Sequence, residues 1–171
     1  EIRDGETAQV AAEAALTGHL VFSSLHANTA LSAIVRLREL GVEGYLIAAT
    51  LRGVIAQRLV RRLCPDCART AAPTEAEAAT FAAQGLPVPA QLRHATGCAS
   101  CDGSGYSGRI GIFDILEIDD HLRAAIDTDA SDLRLREAAG PRPSLLALAL
   151  ARVASGETSL SEVRRVMGEG G

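Results

Sequence analysis

The four cysteines of the chain fall into two pairs of one spacing, Cys64-Pro-Asp-Cys67 and Cys98-Ala-Ser-Cys101, joined by a long insert. A C-x2-C turn presents two sulfurs on the same side of a tight loop, and two such turns offer the four soft donors that a tetrahedral zinc ion takes. Pro65 and the glycines around Cys101 are residues that knuckle turns need. The interval between the pairs is longer than in a compact zinc ribbon, but closure entropy grows only slowly with loop length. A redox C-x-x-C usually opens a helix after a strand. Here one pair follows a predicted helix and the other lies in a glycine-rich turn. Structural disulfides are disfavoured because nothing marks the chain as exported. Cys64, Cys67, Cys98 and Cys101 are therefore read as ligands of a structural Zn2+, in a closed shell with no open position for a substrate.

Three further sets of residues could carry chemistry. Glu1 stands before "IRD" and the first predicted helix, at the end of any strand preceding it. In open α/β sheets that edge binds ligands. A carboxylate there can hold Mg2+ or orient a water; alternatively it is merely solvated. His19 and His26 bracket "HLVFSSLH"; if this run is extended, about 3.3 Å per residue puts them about 20 Å apart, too far to share a ligand. His26, beside Asn28 and Thr29, is the candidate for phosphate contact, and His19 suits a structural or subunit-contact role, although either fits a satisfied core histidine. Arg58, Arg61 and Arg62 form a basic cluster before the first cysteine pair. Two readings stand for it: favourable cations at a helix C-terminus, or a docking surface for an acidic partner. "CDGSGYSGR" is glycine-rich but lacks G-x-x-x-x-G-K-[ST], and reads as turns rather than a phosphate cradle.

The pattern along the chain suggests the elements that present these residues. "DGETAQVAAEAALTG" predicts a helix capped by Asp4 and ended before Gly18. His19–His26 predicts a buried strand, and "NTALSAIVRLRELG" a helix capped by Asn28 or Thr29 and stopped at Gly41. Gly44–Leu63 predicts a second, long helix with Leu46, Ile47, Leu51, Val54, Ile55 and Leu59 as its apolar stripe. The insert between the cysteine pairs, broken by prolines, has room for one helix at about Thr74–Gln84. Gly108–Ile118 reads as a strand, and helical signals fill the chain from Asp119 onward. The fold class that follows is α/β. The expected division is residues 1–62 as core, 63–107 as the tetracysteine module, 108–118 as a strand returning to the core, and 119–171 as a small helical subdomain.

Composition sets the outer limits. The 171 residues are 47% hydrophobic but only 3% aromatic, so the core must be built largely from small aliphatic side chains. All 17 basic residues are arginine, and a net charge of −4 argues against general nucleic-acid binding. The apolar stretch Tyr45–Leu63 is interrupted by Arg52, Arg58, Arg61 and Arg62, so no transmembrane segment is predicted and a cytoplasmic location is the default expectation. With Glu1 rather than Met first, the chain reads as the C-terminal piece of something longer.

In this order, "EIRDGETA", "ALTGHLVFSSLHAN", "GVIAQRLVRRLCPDC" and "GCASCDGSGYSGRIGIFDILEI" resemble the C-terminal part of the type II secretion and type IV pilus assembly ATPases, and "ASGETSLSEV" extends the similarity nearly to the end. The resemblance implies the C-terminal half of a RecA-like P-loop ATPase core with an inserted tetracysteine zinc module and a C-terminal helical subdomain. It implies that Glu1 is the acid of the Walker B segment and that His26, in the His box, reaches toward the γ-phosphate. The parent it implies uses ATP and Mg2+, assembles as a homo-hexamer, and works peripherally at the cytoplasmic face of the inner membrane against platform proteins of the secretion system. Pilus retraction ATPases, close relatives, generally lack the tetracysteine module, which tilts the reading toward secretion or assembly. The Walker A loop, the Asp box and most of Walker B are not in this chain, so the chain alone is expected to bind ATP weakly and not to turn it over. The rival reading is a non-enzymatic, zinc-stabilised interaction module.

Overall fold

The structure, a computed structural model, describes residues 1–168. Its elements in chain order are α1 (Gly5–Leu16), α2 (Ala30–Glu39), α3 (Gly44–Thr50), β1 (Gly53–Leu63), β2 (Arg69–Ala71), α4 (Glu75–Ala83), β3 (Leu92–His94), a 3₁₀ turn at Ala99–Cys101, β4 (Tyr106–Glu117), α5 (Asp120–Asp127), α6 (Asp132–Ala139), α7 (Leu145–Ala154) and α8 (Leu160–Met167). β1 pairs with β4, and β2 with β3. The fold is α/β, and the chain divides into two compact units, one made of Glu1–Ala56 and Asp114–Arg142, the other of Gln57–Phe113 and the chain from Pro143.

Side-chain caps start most helices. Asp4 accepts from Thr7 N–H at 2.8 Å, and Asp119 from Leu122 N–H at 2.8 Å. Thr29 forms a capping box with Ser32, and Thr74 one with Glu77. Each cap satisfies backbone donors that the first helical turn leaves unpaired.

In the first unit Ala8, Ile34, Leu46, Ile47, Leu116, Leu122, Ile126 and Leu135 close a core among α1, α2, α3, α5 and α6. Close helix approach sets its geometry: a Cβ on Gly44 would lie 2.6 Å from Ile126 O and 2.5 Å from Asp129 Oδ1. Arg38 of α2 donates to Ala130 O at 2.7 Å and to Ile126 O at 3.0 Å, satisfying carbonyls at the end of α5.

Two sequence expectations fail in this region. His19–His26 is not a strand; its regular pairing is one parallel bridge, Ile2 to Leu25. A strand is defined by its partners, and among the described residues Ile2 alone pairs with this run, which leaves Leu20 77% and Phe22 87% exposed rather than buried. The long helix expected over Gly44–Leu63 is instead α3 followed by β1. α3 ends at Thr50 with Leu51 already extended, and β-branched Val54, Ile55 and Val60 favour the pleated conformation that pairing with β4 supplies. The supposed stripe accordingly splits: Val54 is half-buried while Ile55 and Leu59 are 63% and 49% exposed.

The second unit has its own core of Val60, Phe81, Leu92, Ile112, Ala149, Leu150, Val153, Leu160 and Val163. The helix expected at Thr74–Gln84 is α4, which buries Phe81 there. The helices after Asp119 do not gather into one subdomain: α5 and α6 pack in the first unit, whereas α7 and α8 belong to the second.

A buried ion cluster ties α8 to β1. Glu162 has a fully buried side chain and accepts from Arg61 N–H at 2.9 Å, from Arg61 Nη2 at 2.7 Å, and from Arg165 Nε and Nη2 at 2.8 and 2.7 Å. Burial alone would raise its pKa, but the Arg165 and Arg61 donors outweigh it and lower the carboxyl to about 2. Arg61 of this strand therefore has a structural partner in Glu162, and the helix-end reading of Arg58, Arg61 and Arg62 falls with the helix.

A carboxyl with a depressed folded pKa stabilises above its ordinary value of 4.5, and that stabilisation is lost as pH falls toward about 2. Glu162→Gln is expected to cost about 3 kcal/mol at pH 7 by leaving two arginines unpaired, and the gap between variant and parent should narrow at pH 3, measured by urea unfolding. Gly44→Ala is expected to lower the stability of the first unit by about 1–3 kcal/mol, read by hydrogen exchange at α3 and α5.

Candidate functional site

Two strand pairings bring the cysteine turns together. β2 begins just after Cys67 and β3 ends shortly before Cys98, and they pair antiparallel with Arg69 opposite His94 and Ala71 opposite Leu92. The insert between the pairs is thereby closed at its base. On the other side, Cys64 follows β1 and donates its N–H to Gly105 O at 2.9 Å, just before β4 begins. Thr96 Oγ1 hydrogen-bonds Cys67 O. The second turn coils as 3₁₀, with Asp102 left-handed at φ +50° and Gly103 N–H on Cys98 O at 2.9 Å. Gly97, at φ +94°, has no room for a side chain: a Cβ would lie 2.4 Å from Gly103 O.

The four sulfurs all lie within 4.8 Å of one another. Cys64 to Cys98, Cys67 to Cys101 and Cys98 to Cys101 are 3.9, 3.8 and 3.7 Å apart. A zinc–sulfur bond of about 2.3 Å gives a regular tetrahedron an edge of about 3.8 Å, so the cluster has the dimensions of a tetrathiolate shell. Cys64 and Cys101 are buried, Cys67 and Cys98 half-buried. Backbone N–H groups of Cys98 and Gly105 each point at Cys101 Sγ from 3.2 Å. Desolvation raises the Cys101 thiol, but those backbone donors and the neighbouring thiols outweigh it and bring it down to about 6. Cys64 behaves oppositely: a backbone bond from Asp66 lowers it, yet burial and the other three thiols push it up to about 11. All four expected ligands converge, and none is left out.

The second constellation lies at the start of the chain. Ile2 N–H donates to Ser24 O at 2.8 Å in the parallel bridge that sets residues 1–3 beside 24–26. Glu1 Oε1 then lies 2.8 Å from His26 Nε2, while Glu1 Oε2 accepts from Arg3 Nε at 2.7 Å. Glu1 is 28% exposed and His26 86% exposed, so the pair faces solvent on the histidine side. Both residues singled out for catalysis are thus in contact. His19 is elsewhere: its Nδ1 sits 3.1 Å from Ala14 O and 3.3 Å from Thr17 Oγ1, at the end of α1.

Sequence reasoning passed over Arg3 as a partner of Glu1, and Gly105, Tyr106 and Glu162 as neighbours of the cysteine turns. Only Glu162 carried a local signal: Ser159-x-x-Glu162 has the spacing of a capping box. Ser159 does cap α8, accepting from Glu162 N–H at 3.2 Å, but the carboxylate turns to the arginines instead.

Comparison with known proteins follows the same path along the chain. The chain is 45% identical over 170 residues to the type II secretion system ATPase E of Vibrio cholerae, 43% over 170 residues to the type II secretion system protein E of Pseudomonas aeruginosa, and 42% over 172 residues to the type IV pilus assembly ATPase TfpB of Acinetobacter baylyi. These alignments take in 98–99% of this chain but 34%, 34% and 29% of the relatives, so it spans about a third of their length. Among solved structures, the pilus retraction motor PilT with bound ADP superposes at a TM-score of 0.62 with 20% identity, covering 96% of this chain and 37% of PilT. The Legionella pneumophila ATPase DotB gives 0.59 with 20% identity, covering 96% of this chain and 36% of DotB, and the two likenesses show a shared fold. The family described as type II/IV secretion system protein matches residues 1–165. Since that match runs from the Glu1 carboxylate through both cysteine turns and into α8, the chain belongs to the type II/IV secretion system protein family.

Proposed function

We propose that the chain is the C-terminal part of a hexameric ATPase that powers type II protein secretion, carrying half of a RecA-like core and a structural zinc module. The observation that carries this reading is the contact between Glu1 and His26, a carboxylate and an imidazole 2.8 Å apart at one exposed edge. Glu1 then acts as the acid that closes the Walker B segment. While Glu1 is ionised, His26 Nε2–H donates to it; once His26 turns to a phosphate oxygen, Oε1 is free to take a proton from an attacking water. Arg3 holds the other carboxylate oxygen and so keeps Glu1 oriented through the exchange.

Cys64, Cys67, Cys98 and Cys101 would hold zinc, whose charge offsets four thiolates and whose closed shell confines it to a structural role. The whole protein is read as acting peripherally at the cytoplasmic face of the inner membrane, where its ring works on platform proteins of the secretion system. Type IV pilus assembly is the second reading, favoured by the 42% identity to a pilus assembly ATPase. A zinc-stabilised module without enzymatic function is weakened by the Glu1–His26 pair, which such a module has no use for. A G-x-x-x-x-G-K-[ST] loop upstream of Glu1 in the complete gene decides between motor and module.

Elemental analysis of the reduced chain is expected to give one zinc per molecule. Chelation or Cys64→Ser should lower the melting temperature by about 10 °C, the loss of a ligand bound far above its dissociation constant. In the full-length protein, Glu1→Gln should lower kcat by about 10²–10⁴ while nucleotide binding persists. The chain alone should bind Mg2+-ATP weakly in a titration, and tight binding would contradict the assignment of the phosphate-binding groups to another segment.

A further inference from the structure

The buried carboxylate of α8 and the sulfur cluster belong to the same unit and are joined by a short run of named contacts. Glu162 grips Arg61 through three hydrogen bonds, at 2.9, 2.9 and 2.7 Å. Arg61 stands three residues before Cys64, and its guanidinium carbon lies 4.1 Å from the centre of the Tyr106 ring. Tyr106 follows Gly105, whose carbonyl accepts from Cys64 N–H and whose own N–H donates to Cys101 Sγ at 3.2 Å. The Tyr106 hydroxyl is 2.6 Å from Ser159 Oγ, the cap of the helix that carries Glu162. Thr158 Oγ1 donates to Arg61 O at 2.8 Å, and Leu63 N–H to Glu157 O at 2.9 Å, so the segment before α8 clasps the same strand.

Arg61 and Tyr106 therefore form a stacked rung across β1 and β4, at the point where one strand enters the first cysteine turn and the other leaves the second. A guanidinium on a flexible stem holds such a stack only when its own donors are fixed, and Glu162 fixes them. We infer that Glu162 is a positioning residue for the metal centre: through Arg61 and Tyr106 it sets the separation of the two cysteine turns, although it touches no sulfur. This rests on the zinc reading of the four cysteines. Outer groups that orient metal ligands typically change affinity by about 10–100-fold when removed.

The test uses Co2+ alone as a spectroscopic probe and zinc competition for affinity. Glu162→Gln should weaken metal binding by about tenfold or more and alter the Co2+ ligand-field bands. Tyr106→Leu, at a half-buried position that spares the ion cluster, should act in the same direction, while Tyr106→Phe, which keeps the ring, should stay close to the parent. Val163→Ala is the control: its side chain is fully buried one residue away but outside the rung, so it should lower stability and leave the Co2+ spectrum and affinity unchanged. Parent-like affinity and spectra in both Glu162→Gln and Tyr106→Leu would overturn the positioning role while leaving the zinc assignment standing. A parent chain that takes up no stoichiometric metal would instead overturn the zinc assignment and this inference with it.

Discussion

Four sulfurs all within 4.8 Å of one another, three of their separations 3.7–3.9 Å, impose a condition on everything around them. As thiolates they repel, so the arrangement is favourable only when a cation offsets the charge or when most of them keep their protons. The protein divides the burden unevenly: backbone donors converge on Cys101, while at Cys64 a backbone bond from Asp66 is outweighed by burial and the other three thiols, which push the thiol up. The geometry also organises the chain. With β2 and β3 laddered at the base and the cysteine turns joined above it, the insert becomes a closed loop that folds α4 and Phe81 back onto the core. A loop of this length adds little closure cost beyond a shorter one, and the sulfurs need to meet only once.

The second constraint is the placing of arginines. With no lysine in the chain, every basic tether is a planar fork with several donors. Arg38 reaches the Ala130 and Ile126 carbonyls, Arg123 reaches Ala48 O and Ile118 O, and Arg142 reaches both Asp114 and Ile115 O. A guanidinium carries its donors on separate nitrogens of a rigid plane, so one side chain reaches two acceptors that a single ammonium nitrogen would have to share. Composition alone offered no reason to give the arginine bias structural weight. Their targets do: backbone carbonyls at helix and strand ends, and the fully buried carboxylate of Glu162.

Features set by local chemistry could be read from the residues. The cap at Asp4, the cap at Asn28 or Thr29 (Thr29 in the structure), the helix after Thr74, the stop before Gly18, the strand through Ile110–Ile115 and the convergence of four cysteines all depend on neighbours a few residues away or on ligand type. Features set by pairing could not. Val54, Ile55, Leu59, Val60 and Leu63 satisfy a helical stripe as well as a strand, and only β4, more than forty residues on, decides between them. His19–His26 shows the converse: a strand-like run has one bridge and stays open. Glu162 was hidden for a related reason, since an S-x-x-E spacing announces a cap and gives no sign that the carboxylate faces a strand a hundred residues earlier.

The two constellations differ in how firmly they are held, and the difference fits what each is read to do. The sulfur centre sits on two strand ladders, tight turns and an ion cluster without exposure at its carboxylate, an arrangement that resists displacement. The Glu1–His26 pair rests on one backbone bridge, with a histidine that is largely in solvent, and an exposed polar contact of this kind contributes under about 1 kcal/mol. A weak hold is what an exchange of partners requires. If His26 were buried against Glu1, the transfer to a phosphate oxygen proposed for it would have to overcome the cost of an unpaired buried carboxylate, several kcal/mol, each time. Because the carboxylate keeps Arg3 on its other oxygen, His26 can leave without stranding the charge. In the proposed cycle the edge that meets nucleotide is therefore the loosely tied part of the chain, and the metal centre the tightly tied part.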